Sequence, residues 1–233
     1  MRCLVALLLS CLLVSSGLGQ EKVNIQLQQS GPKPGDVAAY KIGNDMGSQL
    51  RQGGLEASDL VAADFLAGLM DALKGAESRV ADAEVEKALT ELGKKVEARM
   101  KESSKSNLTK ATTFLDENKK KQGVVALPSG LQYQVVKQGS GATPKADSTV
   151  MVHYEGKLID GTVFDSSLKD GEPRSFKVNQ VVPGWTEALT RMKVGDKWKL
   201  VIPPALGYGE RGIPGVIPAN SALVFDVELL EVK

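Results

Sequence analysis

The residues with most chemical promise in this 233-residue chain are aromatic rather than ionisable. Val181-Val182-Pro183-Gly184-Trp185, Gly207-Tyr208-Gly209 and Ala222-Leu223-Val224-Phe225-Asp226 set a Trp, a Tyr and a Phe among turn and strand residues. Tyr154 stands just before Gly156, and Phe164 just after Gly161. Large rigid rings presented beside turns suit a cleft for an apolar ligand. Tyr154, Phe164, Val181, Val182, Trp185, Tyr208, Ile217 and Phe225 form that candidate pocket, with ordinary core packing as the competing reading of each residue. Groups for covalent or metal chemistry are scarce. The chain holds one His, His153, and two cysteines, Cys3 and Cys11, both in a leader expected to be removed. A Cys–His nucleophile pair and a Cys/His zinc site are thereby excluded from the mature chain. His153 falls on the strand face opposite Tyr154 and lacks catalytic partners, so it reads as structural. Binding of an apolar ligand fits this set better than hydrolysis, and no metal, nucleotide or other cofactor is implied.

Strands must hold these rings. From Gly123 onward prolines and glycines recur and apolar/polar alternation sets in. Leu131, Tyr133 and Val135 mark one buried face. Val150, Val152 and Tyr154 mark a second, Trp198, Leu200 and Ile202 a third, and Phe225, Val227 and Leu229 a fourth. Lys199 and Val201 fall on the opposite face of their strand. Pro183 opens a short helix running through Met192, with Trp185, Leu189 and Met192 on one side. An antiparallel sheet with one short helix against it makes an α+β domain of ~110 residues. Eight of the eleven aromatics follow Gly123, so the pocket belongs to this domain.

The preceding part reads as helical. Residues 36–121 contain no proline. Ala39, Ile42, Met46 and Leu50 repeat at helical spacing up to Gly53-Gly54. Ser58 can cap a second helix with the stripe Val61, Phe65, Leu69 and Leu73, closed by Gly75. Asp82 can cap a third, whose stripe runs from Val85 to Leu115. Unbroken to Lys120, it is about 58 Å long. Such a helix needs a partner chain, or stands as a spacer between domains. The alternative is a break at Ser103, Ser104 and Ser106. Asn107-Leu108-Thr109 matches a glycosylation sequon by pattern alone.

The N-terminus reads as an export signal, residues 1–19. Arg2 is its basic start, Cys3 to Val14 an apolar run too short to span a bilayer, and Ser15 to Gly19 a small-residue cleavage region. A retained anchor is the competing reading. Residues 20–35 form a flexible leader. No later apolar stretch approaches membrane-spanning length. Lys and Arg number 29 against 28 Asp and Glu, which lacks the basic excess of a nucleic-acid binder.

Five motifs, in order, carry a family resemblance: Val152-His153-Tyr154-Glu155-Gly156, Asp160 through Ser167, Val181 through Trp185, Gly207-Tyr208-Gly209 and Leu223 through Leu230. They resemble the FK506-binding (FKBP-type) peptidyl-prolyl cis–trans isomerases over residues 122–233. Tyr40 through Gly47 and Phe65 through Leu73 resemble the dimerisation domain of the family's Mip-like members from bacterial envelopes. The resemblance implies a sheet wrapped on the short helix, preceded by an all-α dimerisation domain with a long connecting helix. It implies a homodimer through residues 36–121, proline-containing polypeptides as substrates, macrolides as inhibitors, and a periplasmic or outer-membrane-associated location. Trp185 would lie beneath the substrate proline ring, with Tyr154, Phe164, Val181, Val182 and Phe225 as walls. The Tyr208 hydroxyl and the Ile217 N–H would donate to substrate carbonyls. Asp165 would sit at the rim, bonded to Tyr154. Arg174 stands where many members carry an aromatic, Ile213 where a His is common, and Asp170 where an Arg often pairs with the rim aspartate. These departures are expected to act on macrolide affinity and substrate preference. The competing readings are a chaperone or binding module, whose pocket only anchors proline-containing segments, and a host-directed factor.

Overall fold

The computed structural model describes residues 33–233. The expected signal, residues 1–19, and residues 20–32 of the expected leader lie outside the described residues. Among the described residues the helices are α1 Val37–Gln52, α2 Ala62–Leu73, α3 Asp82–Asn118 and α4 Pro183–Leu189. The strands are β1 Val124–Ala126, β2 Gln132–Lys137, β3 Thr149–Leu158, β4 Val163–Ser166, β5 Arg174–Lys177, β6 Lys197–Ile202 and β7 Leu223–Val232. The chain divides into two compact units, one holding Leu60–Arg79 and the other Pro34–Asp59 with Val80–Lys233.

In the smaller unit, α2 begins after Val61, which makes no side-chain cap. The expected cap, Ser58, lies instead in a 3-10 turn, Ala57–Asp59. The helix exits through Gly75 at φ 69°, where the Ala76 N–H donates to Asp71 O at 3.0 Å. Glycine suits that left-handed exit. Phe65, Leu66, Met70 and Leu73 are exposed.

In the larger unit, Asp36 caps α1, its carboxylate accepting the Ala39 N–H at 3.0 Å. The chain then turns at Gly54, φ 88°, where an added Cβ would come within 3.0 Å of Val96 and Met100 on α3. Arg99 of α3 locks this corner. Its guanidinium donates to Gly54 O at 2.7 Å and forks onto Asp59 at 3.0 and 2.7 Å. Lys95 reaches the same buried carboxylate at 3.0 Å. Hydrogen bonds from Arg99, then from the Glu56 N–H and Lys95, hold the Asp59 carboxyl far below the usual carboxylate range.

α3 is continuous over 37 residues, about 55 Å. Asp82 is not its cap; that place falls to Ala81, and Asp82 with Glu84 sits in the first turn, where negative charge favours the helix dipole. The serines do not interrupt it, because its last turns dock against the sheet. Ala111 is fully buried. Asn118 donates to Gln132 Oε1 at 2.9 Å, and Gln132 donates to Leu115 O at 2.9 Å. Tertiary contacts of this kind outweigh modest differences in helix propensity.

The sheet is antiparallel, in the order β1-β2-β6-β7-β3-β4, with β5 also paired to β3. β3 and β7 alternate buried and half-buried residues over most of their length. Their inner face, with Trp198, Leu200 and Ile202 of β6, packs around Trp185, Ala188, Leu189 and Met192 of the α4 segment. α4 itself stops at Leu189, and Met192 follows in a turn. Val135, Val201 and the buried Gln132 depart from the alternation pattern. Val135 is exposed at the end of β2, where the register with β6 slips. Val201, opposite Gln132 in that register, is 2 % exposed on the sheet face where Gln132 meets α3.

Asp59→Asn leaves Arg99 against an uncharged amide, and we expect a lower thermal midpoint at neutral pH. The folded carboxyl titrates below its unfolded value of about 3.9. The wild-type advantage is therefore full above about pH 5 and shrinks as pH falls below about 4. Paired melts across that interval check this; a gap that stays constant contradicts the ion-pair account.

Candidate active site

Trp185 lies one turn into α4, and two neighbours put it there. Pro183 pre-sets φ for the first turn. Gly184 lets the helix press on β6, since a Cβ there would fall 2.7 Å from Ile202 Cγ2. Trp185 is 4 % exposed. Three rings from three strands meet it edge to face: Tyr154 of β3 at 5.3 Å and 87°, Phe176 of β5 at 5.6 Å and 75°, and Phe225 of β7 at 5.3 Å and 81°. Phe164 of β4 meets Phe225 at 5.5 Å and 86°. Separations and angles of this kind are the favoured aromatic geometry. Gly156 makes the last contact possible, because a Cβ there would lie 2.6–2.8 Å from the rings of Phe225 and Phe164.

These rings enclose a cleft of about 280 Å³, lined also by Asp165, Gln180, Val181, Val182 and Tyr208. Asp165, Gln180 and the hydroxyls of Tyr154 and Tyr208 are the polar side-chain groups of a lining otherwise made of rings and valines. The Tyr154 hydroxyl donates to Asp165 Oδ2 at 2.6 Å. Burial, followed by that hydrogen bond, pushes the Tyr154 phenol well above its ordinary pKa. Burial and the Asp165 charge also raise Tyr208, so both phenols stay neutral donors at physiological pH. A wider groove of about 1170 Å³ runs along α3 beside residues 210–219, but the ring cluster does not line it.

Of the residues expected from sequence, Tyr154, Phe164, Asp165, Val181, Val182, Trp185, Tyr208 and Phe225 line this one cleft. Ile217 does not. It is 2 % exposed in the core, and its N–H donates to Ile213 O at 2.8 Å. The expectation of a substrate donor at Ile217 therefore lacks a free N–H. Phe176 and Gln180 were missed. Phe176 had a signal, being the lone aromatic of an alternating Arg174–Lys177 segment; Gln180 had none. Arg174 pairs with Asp170 rather than Asp165. His153 lies with Nδ1 3.1 Å from Ser167 Oγ, and Ser167 in turn bonds the Tyr154 backbone at 2.9 and 3.2 Å. Among the described residues no group of three His, Cys, Asp or Glu could hold a metal, and no helix is long and apolar enough to cross a membrane.

Two family models match the chain. Residues 140–230 match the family model for FKBP-type peptidyl-prolyl cis-trans isomerase. Residues 35–135 match the model for a domain amino terminal to FKBP-type peptidyl-prolyl isomerase. The FKBP-type 22 kDa peptidyl-prolyl cis-trans isomerase of Escherichia coli (strain K12) is 49 % identical over 195 residues, spanning 84 % of this chain and 94 % of that one. The outer membrane protein MIP of Legionella longbeachae is 40 % identical over 202 residues, 85 % of each chain. The crystal structure of FkpA from Escherichia coli superposes with a TM-score of 0.63 at 41 % identity, covering 84 % of this chain and 95 % of that one. With both parts matched by family models and near-complete alignment to relatives at this identity, the chain belongs to the FKBP-type peptidyl-prolyl cis-trans isomerases.

Proposed function

We propose that the Trp185 cleft takes up the proline ring of an X-Pro segment and lowers the barrier to rotation of its amide. The observation that carries this is the cleft itself, lined by the buried Trp185 indole and by Tyr154, Phe164, Phe176 and Phe225, with Asp165, Gln180 and Tyr208 as its polar groups. Amide rotation must overcome resonance, a barrier of ~18–20 kcal/mol. The twisted amide is less dipolar than the planar one, so a dry apolar cleft favours the twisted state relative to the ground state. No nucleophile is needed. Tyr208 donates its hydroxyl to a substrate carbonyl. The second donor is the N–H of Val182, which lines the cleft and makes no hydrogen bond among the described residues, while its carbonyl accepts from Trp185 and Thr186. Asp165, held by Tyr154, sits beside the twisting amide. Uncatalysed X-Pro exchange takes tens of seconds, so even modest acceleration speeds folding. Macrolide inhibitors would compete for the same cleft, with the Arg174–Asp170 pair beside it setting their affinity.

Residues 36–121 serve as a helical dimerisation domain and residues 122–233 as the isomerase domain. The exposed Tyr40 and Ile42 on α1, and Phe65, Leu66, Met70 and Leu73 on α2, support a helical interface. The same apolar side chains support chaperone capacity toward unfolded clients. The export signal read at residues 1–19, with a relative named as an outer membrane protein, supports work on exported proteins in the periplasm or at the outer membrane.

Conversion of a short Leu-Pro peptide from cis to trans tests the cleft. We expect Trp185→Leu, which keeps an apolar side chain, to lower kcat/KM at least about tenfold, and Tyr208→Phe roughly threefold to tenfold for one lost hydrogen bond. Wild-type rates in a folded Trp185→Leu protein overturn the assignment. Light scattering on residues 20–233 should give about twice the monomer mass, and a monomer refutes the dimer.

A further inference from the structure

The loop that carries Tyr208 is tied to a helix outside the sheet. It leaves the 3-10 turn Pro204–Leu206 and returns to the sheet at Leu223. Its internal bonds are short-range: Gly209 N–H to Pro204 O at 2.9 Å, Gly212 N–H to Tyr208 O at 3.0 Å, and a 2.8 Å pair between Ile213 and Ile217. The Asn220 N–H closes its base on Gly209 O at 2.8 Å. Asn220 is the one non-glycine residue at positive φ, 55°, among the described residues. Asn tolerates that conformation better than most residues, but such a conformation persists only when its surroundings fix it. The surroundings here belong to α3. Asn220 Nδ2 donates to Ser104 Oγ at 2.9 Å, and Asn107 Nδ2 donates to Ala219 O at 3.0 Å. Ser104 and Asn107 are three residues apart and so adjacent on the helix surface. Ala111 and Asn118, both buried, continue the same face toward β2.

We propose that Ser104 and Asn107 are positioning residues for the isomerase reaction. They hold the Ala219–Asn220 corner, and the Asn220–Gly209 bond passes that restraint to the Gly207-Tyr208-Gly209 arm. Tyr208 needs such help because it is flanked by two glycines, and Gly209 lies at φ 55°. Glycine leaves the arm the widest backbone freedom of any residue. An apolar helix face would cover the loop, whereas two directional hydrogen bonds fix its register. α3 thereby sets where the Tyr208 hydroxyl stands over the cleft. The proposal rests on the reading of Tyr208 as a donor to the substrate carbonyl.

The test compares kcat/KM for a Leu-Pro peptide in the full chain with Ser104→Ala/Asn107→Ala, Ser104→Thr, Tyr208→Phe, and the alanine pair combined with Tyr208→Phe. The alanine pair should lose roughly threefold to tenfold. Ser104→Thr keeps the accepting hydroxyl and should stay near wild type. In the Tyr208→Phe background the alanine pair should cost little more, because the group it positions is already gone. An impaired Tyr208→Phe beside an alanine pair at wild-type rate overturns the brace alone. A loss that persists undiminished in the Tyr208→Phe background marks general damage and also overturns it. A fully active Tyr208→Phe removes the donor reading on which the brace depends.

Discussion

The site depends on one constraint: Trp185 must stand edge-on to rings delivered by three different strands. Tyr154, Phe176 and Phe225 come from β3, β5 and β7, and each meets the indole at 5.3–5.6 Å. The antiparallel order makes this possible, because β3 pairs with β4, β5 and β7 and so gathers the walls around itself. Two glycines are required by contact. Gly184 brings α4 onto Ile202, and Gly156 leaves room for Phe164 against Phe225. The indole Nε1 of Trp185 is buried without a partner among the described residues. An unsatisfied buried donor of this sort costs about 1–3 kcal/mol, and the ring contacts and buried area around the indole offset it.

The polar groups of the cleft are held among its rings. Tyr154 is protonated at neutral pH, burial raising its pKa further, and the phenol holds Asp165 by a 2.6 Å hydrogen bond. The carboxylate is thus fixed in place beside the cleft without a cation between them, since Arg174 is engaged by Asp170. Tyr208 stays a donor for the same physical reason. Such a lining suits the proposed orientation and desolvation of an amide.

Much of this was legible in the sequence because the pattern is local. Alternation in β3, β6 and β7 located the inner face, turn-flanked aromatics and the valines beside them located seven of the cleft residues, and the family resemblance supplied Asp165. What escaped the sequence depended on tertiary contacts. Val201 breaks its alternation because Gln132, its neighbour on the sheet, is covered from outside by α3. Ile217 looked like a donor, yet a hairpin-like bridge to Ile213 consumes its N–H. Phe176 showed only as the lone aromatic of a four-residue segment, and its place in the cleft became visible once β5 paired with β3. Ser58 and Asp82 had the right side chains for caps, but Ser58 falls three residues before the cap position of α2 and Asp82 is already the first residue of α3. The unbroken reading of α3 across Ser103, Ser104 and Ser106 holds, with contacts of α3 to the sheet and its loop supporting the helix there.

The most direct measurement is exchange NMR on a Leu-Pro peptide with the indole resonances of the protein followed in the same titration. The two indoles act as internal reporter and control, because Trp185 lines the cleft whereas Trp198 does not and stacks on Tyr133 with ring centroids 4.2 Å apart. The account predicts faster cis–trans exchange of the peptide, with the Trp185 indole signal moving in step and the Trp198 signal still. Faster exchange with an unmoved Trp185, or a shifted Trp185 without faster exchange, would contradict it.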